Sequence, residues 1–228
     1  MATTWTPSYE TPAGRPAEFG HTPRSVADLP IDLGPGLAEQ LTRALDVEAK
    51  IPRTLEALGP VGGREVLLLD GVDGVRARQL AELGGRVSLA TASGPAGFEA
   101  PDASTDVVIS LWSSFRDGLA HDVAESRRVL RQGGRLLVVH DYGRDDVSRL
   151  RGDLPEYGLW SRRDGPFLNS GFKVRIIHCF WTFETIDVAR AFLEAAFGAV
   201  GREVAVGMKR PRLTYKVAVY HRSFETDR

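Results

Sequence analysis

Apolar positions along the chain alternate between two periods. Helical spacing begins at Leu37, sets Leu41, Ala44 and Leu45 on one stripe, and resumes after Pro52 through Leu55 and Leu58. Glu65 to Leu69 is a short continuous apolar run, which predicts a buried strand. Val75 to Leu83 then predicts a helix closed by Gly84-Gly85. Arg86 to Ala90 reads as a second strand and Asp106 to Leu111 as a third. Leu119 to Leu130 reads as a helix with Val123, Ala124 and Leu130 facing inward, stopped by Gly133-Gly134, and Leu136 to His140 as a fourth strand. Strands alternating with helices, with glycine-rich exits, imply right-handed crossovers and a parallel sheet covered on both faces.

The last third changes rhythm. Phe172 to Trp181 and Leu213 to His221 are long β-rich runs, and between them Ile186, Ala189, Phe192, Leu193, Ala196 and Phe197 mark an amphipathic helix. The two strands are expected to finish the sheet as antiparallel neighbours. Before Leu37 the pattern is absent: prolines at 7, 12, 16, 23, 30 and 35 rule out continuous helix or central strand. The expected organisation is an extended arm over residues 1–36 and a single α/β domain over residues 37–228.

Composition narrows the class. The chain is 43% hydrophobic and 26% charged, enough for one well-buried core and unlike collagen or a disordered tract. No apolar run approaches the roughly 18 residues of a membrane span, and the polar N-terminus lacks the regions of a signal peptide, so a cytoplasmic protein without a membrane partner is expected. Cys179 stands alone and reads as a small buried strand residue. The formal net charge of −1 argues against a dedicated nucleic-acid binder. It hides an asymmetry, acidic over residues 1–140 and basic over 141–228, where Ser161-Arg162-Arg163 and Lys209-Arg210-Pro211-Arg212 read as solvated loops or as a meeting point for an acidic partner.

Three segments in order, VLLLDGVDGVRARQLAELGGRV from Val66, STDVVISLWSSF from Ser104 and ESRRVLRQGGRLLVVHDYG from Glu125, resemble the class I S-adenosylmethionine-dependent methyltransferases, especially the small-molecule branch called type 11. The resemblance runs from about Leu37 to Gly143, and through the terminal strand-helix-strand to Phe224. It implies a Rossmann-like, doubly wound sheet, mostly parallel with an antiparallel final strand, and a cofactor lying over the carboxyl ends of the first strands.

Against the family pattern V-L-D-L-G-x-G-x-G stand Val66, Leu67, Leu68, Leu69, Asp70, Gly71, Val72, Asp73 and Gly74. Only the last glycine survives. The family's first two glycines admit unusual dihedrals and bring bare backbone against the ligand. Here Asp70 and Val72 fill that volume, and Leu68 replaces the family's strand-one acid. At the end of strand two, Thr91 replaces the acid that accepts both ribose hydroxyls. The family's next helix, third strand and acidic turn have no room either. Ala92 to Gly97 is too short for a helix and a strand at about 1.5 and 3.3 Å per residue, so the sheet should lack the usual third strand and leave Arg86 to Ala90 as an edge.

These substitutions predict a methyltransferase-like protein with a degenerate S-adenosylmethionine site, non-catalytic and acting as a binding or partner subunit. No cofactor, no metal and no catalytic residue is expected. The arm, a second copy in a homodimer, or an active methyltransferase in a heteromeric complex would cover the open edge. The alternative is an active enzyme that binds S-adenosylmethionine through a remodelled turn and methylates a small molecule, with Gly74, Ser110 and Leu111 bordering the cofactor.

Other chemistry is sparse. His140-Asp141-Tyr142 lies where the fourth strand leaves the sheet, but neighbours on a strand point to opposite faces, so His140 and Asp141 are poorly placed to pair. His178 and His221 could approach across the sheet, a weak metal pattern without a carboxylate. Trp112 would either border a ligand or fill the gap left by the missing adenosine wall, and Phe180-Trp181-Thr182-Phe183 reads as core rather than a stacking surface.

Overall fold

The computed structural model describes residues 29–71, 74–92, 97–116, 119–152, 154 and 157–225. The elements are α1 (Pro35–Ala44), α2 (Lys50–Leu58), β1 (Glu65–Leu69), α3 (Val75–Glu82), β2 (Arg86–Ala90), β3 (Thr105–Leu111), α4 (Leu119–Val129), β4 (Leu130–Asp141), α5 (Asp146–Leu150), α6 (Pro166–Asn169), β5 (Lys173–Thr182), α7 (Ile186–Gly207) and β6 (Arg212–Ser223). One six-stranded sheet takes the order β2-β1-β3-β4-β6-β5. β1 pairs parallel with β2 and β3, and β3 with β4, while β6 runs antiparallel to both β4 and β5. The doubly wound sheet with its antiparallel final strand is therefore as the sequence predicts, and β2 is an edge.

Side chains alternate across the sheet as strand geometry requires. Val66 and Leu68, Leu137 and Val139, Trp181, Tyr215 and Val217 enter one core with α1, α2, α3, α5 and α7. Leu67 and Leu69, Leu136 and Val138, Ala218 and Tyr220 enter another with Phe98, Phe115, Val129 and Phe167. Burial on both faces explains why β1 reads as an unbroken apolar run.

Five sequence expectations change. α2 starts before Pro52, because the Asp46 carboxylate accepts from Lys50 N (3.0 Å) and Ile51 N (2.7 Å), and a proline in the first turn has no N–H to satisfy. The fully buried face of α4 is Asp122, Ser126 and Val129; Val123 is half-buried against the same core, and Ala124 is exposed. Leu130 is buried, but it already opens β4 with no intervening loop. The helix after β5 continues past Phe197, turning at Gly198 (φ 58, ψ −127) so that its second half returns along the first, where Arg190 Nε donates to Ala205 O. His178 and His221 do not meet: His178 stands opposite Lys216, five positions along β6 from His221, roughly 17 Å of strand.

The segment that follows α1 covers the β5 edge. Leu45 bridges Trp181 and Asp46 N donates to Phe180 O (3.1 Å), while Leu29 is buried in the core shared with α1 and α7. Residues 1–28 of the expected arm, and Val72, lie outside the described residues. Among the described residues no helix is long and apolar enough to cross a membrane.

Candidate functional site

The carboxyl ends of β1, β2 and β3 form the rim where sheets of this kind receive ligands. Asp70, one residue past β1, adopts a left-handed backbone at φ 50. That conformation is rare for residues other than glycine, with Asp among the better-tolerated exceptions. Its N–H donates to Ala90 O (2.7 Å). Its carboxylate accepts from Ala92 N (2.8 Å) beyond β2 and from Ser114 Oγ (2.6 Å) beyond β3. One half-buried side chain thus ties three strand ends together. Beneath it Leu68 is fully buried against Gly71, where a Cβ would lie 2.5 Å from the Leu68 side chain.

Each predicted cofactor residue can be placed on this rim. Gly74 caps α3 with an extended backbone (φ −122). Ser110 is buried at the end of β3, opposite Leu69, where its hydroxyl accepts from Ser114 N (3.2 Å) and shares a hydrogen bond with Ser113 Oγ (3.1 Å). Leu111 is buried in the core facing α2 and α3. The structure brings Ser110 to the Asp70–Ser114 contact, while Leu111 faces the helical core. Trp112 is core as well, at φ 55, and Phe115 follows at φ 65. Asp122 of α4 receives Phe115 N (2.8 Å). Burial raises the Asp122 carboxyl above the ordinary carboxylate range, with a further push from Asp70, against the Phe115 bond.

Thr91, at the position of the family's ribose acid, is exposed. The chain beyond the short connection from β2 is pinned to α4. Arg128 donates to Phe98 O (2.9 Å), Ala100 O (2.9 Å), Asp102 (2.6 Å) and Glu125 (2.8 Å), while Glu125 accepts from Phe98 N (3.0 Å). Hydrogen bonds from Arg128 and Phe98 hold Glu125 below the usual carboxylate range. Gly97 (φ 78) fits this approach, since a Cβ there would lie 2.0 Å from the Glu125 carboxylate. Sequence reasoning found the shortened connection but not this anchor; its only signal is the polar pair Glu125 and Arg128 one helical turn apart.

A second cluster closes the rim at β4. His140 and Asp141 do point apart: His140 packs on Trp160 (4.7 Å between ring centroids) and Phe167 (5.9 Å), while Asp141 accepts from Arg151, Tyr157 Oη and Tyr215 Oη. Arg151 and Asp141 are both nearly enclosed, and burial followed by the Asp141 charge pushes the Tyr215 phenol far up, so it acts here as a donor. Arg116 lies over the Trp160 ring (5.5 Å), linking the segment between α5 and α6 to the loop after β3. Beyond Asp141, the carboxylates of Asp145 and Asp146 replace a neighbouring strand by accepting Lys216 N (2.7 Å) and Thr214 N (2.8 Å). Cys179 is buried beside Asp46, and burial with that charge pushes its thiol up, which keeps it an unreactive core residue. No cluster of metal-binding side chains occurs among the described residues.

No protein-family model and no curated protein matches the chain. Solved structures do. A candidate type II methyltransferase from Anaeromyxobacter dehalogenans aligns over 78% of this chain and 96% of its own, at 20% identity and a TM-score of 0.50. A candidate methyltransferase of an antibiotic biosynthesis pathway in Anabaena variabilis aligns over 78% and 98%, at 15% identity and 0.48. A further candidate methyltransferase, from Bacillus halodurans, aligns over 85% and 100%, at 15% and 0.43. The first likeness fixes the class as an open, doubly wound α/β sheet of the methyltransferase type. The fold is the one implied by the resemblance to class I S-adenosylmethionine-dependent methyltransferases; at this identity the likeness concerns fold alone.

Proposed function

We propose that this chain is a methyltransferase-fold protein whose cofactor rim has been rebuilt as internal contacts, and that its single domain over residues 37–228 works by binding a partner. The residues present do not suit S-adenosylmethionine. The observation that carries the reading is Asp70. In the family comparison it takes the place of the first glycine and keeps the left-handed backbone a glycine would serve, yet it commits its carboxylate to Ala92 N and Ser114 Oγ. A ligand entering there would have to break both bonds and meet the carboxylate with its own amino-acid carboxylate. Leu68 and Thr91 offer neither of the two acidic anchors, and a charge-assisted contact is worth about 1.5 to 3 kcal/mol. Two such losses amount to a factor of about a hundred or more in affinity.

Calorimetric titration of the full chain with S-adenosylmethionine tests this. The expected result is no saturable binding up to about millimolar cofactor. Binding in the low micromolar range would overturn the proposal in favour of an active methyltransferase acting on a small molecule, with Gly74, Ser110 and Leu111 at its cofactor.

A further inference from the structure

The two edges of the sheet are finished differently. Along β5, Leu45 bridges Trp181, Asp46 N donates to Phe180 O, Lys50 Nζ donates to His178 O (3.0 Å), and Lys173 and Arg175 stand exposed over the remainder. Such covering and such charges blunt an edge. Among the described residues β2 pairs with β1 alone, in an unbroken register from Arg86 to Ala90, and the strand holds no lysine or proline. Its one cation, Arg86, is ion-paired with Glu65 of β1. Leu89 is 45% exposed, and among the described residues no other strand exposes a large apolar side chain to that degree.

The direction of the free backbone groups follows from the two ends of β2. Arg86 N donates to Arg64 O (2.9 Å) and Ala90 O accepts from Asp70 N (2.7 Å), so both residues turn their peptide groups toward β1. Successive strand residues hydrogen-bond to opposite sides, which turns Ser88 inward with them and aims the N–H and C=O of Val87 and Leu89 outward. The two outward residues flank Ser88 evenly. Val87 and Leu89 share the α3 face of the sheet, where Val66 and Leu68 are their register partners, and Arg86, Ser88 and Ala90 share the other.

We propose that β2 pairs antiparallel with β2 of a second copy of this chain, about a twofold axis at Ser88, so that the two sheets join into one. Three features select a copy of the same strand as the occupant. The axis sets Val87 of each copy against Leu89 of the other, and the outward N–H and C=O groups of these residues match in four hydrogen bonds with none left over. On the α3 face the same pairing lays the exposed Leu89 on Val87. On the opposite face it sets Arg86 against Ala90, so that no charge meets its own image. An axis moved to Val87 or Leu89 would keep two bonds within the strand and set the other outward residue against Gly85 or Thr91. The inference names the partner left open in the proposed function and rests on that half of it, not on the loss of the cofactor.

A five-residue edge buries less than a standard interface, so the pairing is weak and reversible. Sedimentation of the full chain over roughly 1 to 500 μM should show its mean mass rising from one chain toward two. Leu89→Lys places a charge at the exposed position beside the axis and should weaken association about tenfold or more. A urea midpoint near the parent's shows that this variant is folded. Ser88→Cys reports the axis itself. Directly opposed residues at such a position lie about 4.5 Å apart between Cα atoms, within disulfide reach, and Cys179 is buried and does not compete. Oxidised glutathione should convert this variant to a covalent dimer and leave Ala191→Cys, exposed on α7, as single chains. A chain that stays monomeric throughout, as it would with the arm folded over β2 or the edge left in water, overturns the inference. So does a dimer that survives Leu89→Lys unchanged, or one that links Ser88→Cys no better than Ala191→Cys. S-adenosylmethionine titration reads the cofactor proposal separately, because neither result bears on the other.

Discussion

Two aspartates sit one step apart in the same logic, each at the carboxyl end of a parallel strand, and they close the rim in opposite ways. Asp70, half-buried after β1, accepts from a backbone N–H and a serine hydroxyl and holds neutral partners. Asp141, the last residue of β4, is enclosed and answers a buried guanidinium and two phenols. The first is a half-buried knot of two charge-assisted hydrogen bonds, each worth about 1.5 to 3 kcal/mol before discounting for exposure. The second is an ion pair whose members tolerate no loss of partner, because a stranded buried charge costs far more than its pairing yields. The half of the rim where the family would grip a cofactor is thus the weakly held half, and the half beyond it is locked.

The sharpest way to break that contrast is to strand the Asp141 carboxylate. Arg151→Leu removes its guanidinium while leaving the side chain apolar and of moderate size. The expected cost is about 3 to 5 kcal/mol, read as a lower urea midpoint at unchanged slope. A loss below about 1 kcal/mol would show that Asp141 is solvated or satisfied by the tyrosines alone. The equivalent cut at Asp70, to glycine, should cost less, about 1 to 3 kcal/mol, because the site is half-exposed and relief of the left-handed backbone offsets part of the two lost bonds.

Arg128→Ala comes next in size. It frees the segment around Phe98 and Ala100 from α4, and because Arg128 and Glu125 are partly exposed the loss is discounted to about 1 to 2 kcal/mol. Amide exchange at Phe98, whose N–H is bonded to Glu125, should speed up more than exchange in β3. Equal acceleration in both would mean that the staple is part of the global fold rather than of the β1–β3 half.

The sheet was legible because burial on both faces writes itself as apolar runs. Glu65–Leu69 and Thr105–Leu111 lie where the pattern sets them to within a residue or so. The empty places of the family motif were legible as well, since a missing glycine or acid shows in a single line. What filled them was not. Asp70 reads in sequence as an obstruction, but its part as a clamp depends on Ala92 and Ser114 arriving from two other strands. The buried face of α4 was missed because Asp122 and Ser126 are polar, and they are buried only because each finds a backbone partner: Phe115 N for the carboxylate, Asp122 O for the hydroxyl. His178 and His221 needed the strand register, which the pattern within either strand does not fix by itself.

Asp122 offers the finest cut through the weakly held half. Its carboxyl is raised mainly by burial, so the folded chain holds this proton more tightly than the unfolded chain does. Such a group contributes stability that is full below the ordinary carboxylate value, near pH 4, and is lost as pH rises through the raised folded value. Asp122→Asn keeps an acceptor for Phe115 N and removes the titration. Parent and variant should therefore draw apart as pH rises from about 4 to 7, with the variant gaining roughly 2 °C in melting temperature relative to the parent at neutral pH. Other acids move the opposite way. Glu125, held down by Arg128, and Asp106, held down by Glu65 N and Arg131 against its burial, lose their contribution as pH falls. The comparison must accordingly be the difference between the two proteins at each pH, in which those shared groups cancel. A difference that stays flat across the range would mean that Asp122 titrates alike folded and unfolded, and that its enclosure beside Phe115 and Asp70 is looser than the geometry describes.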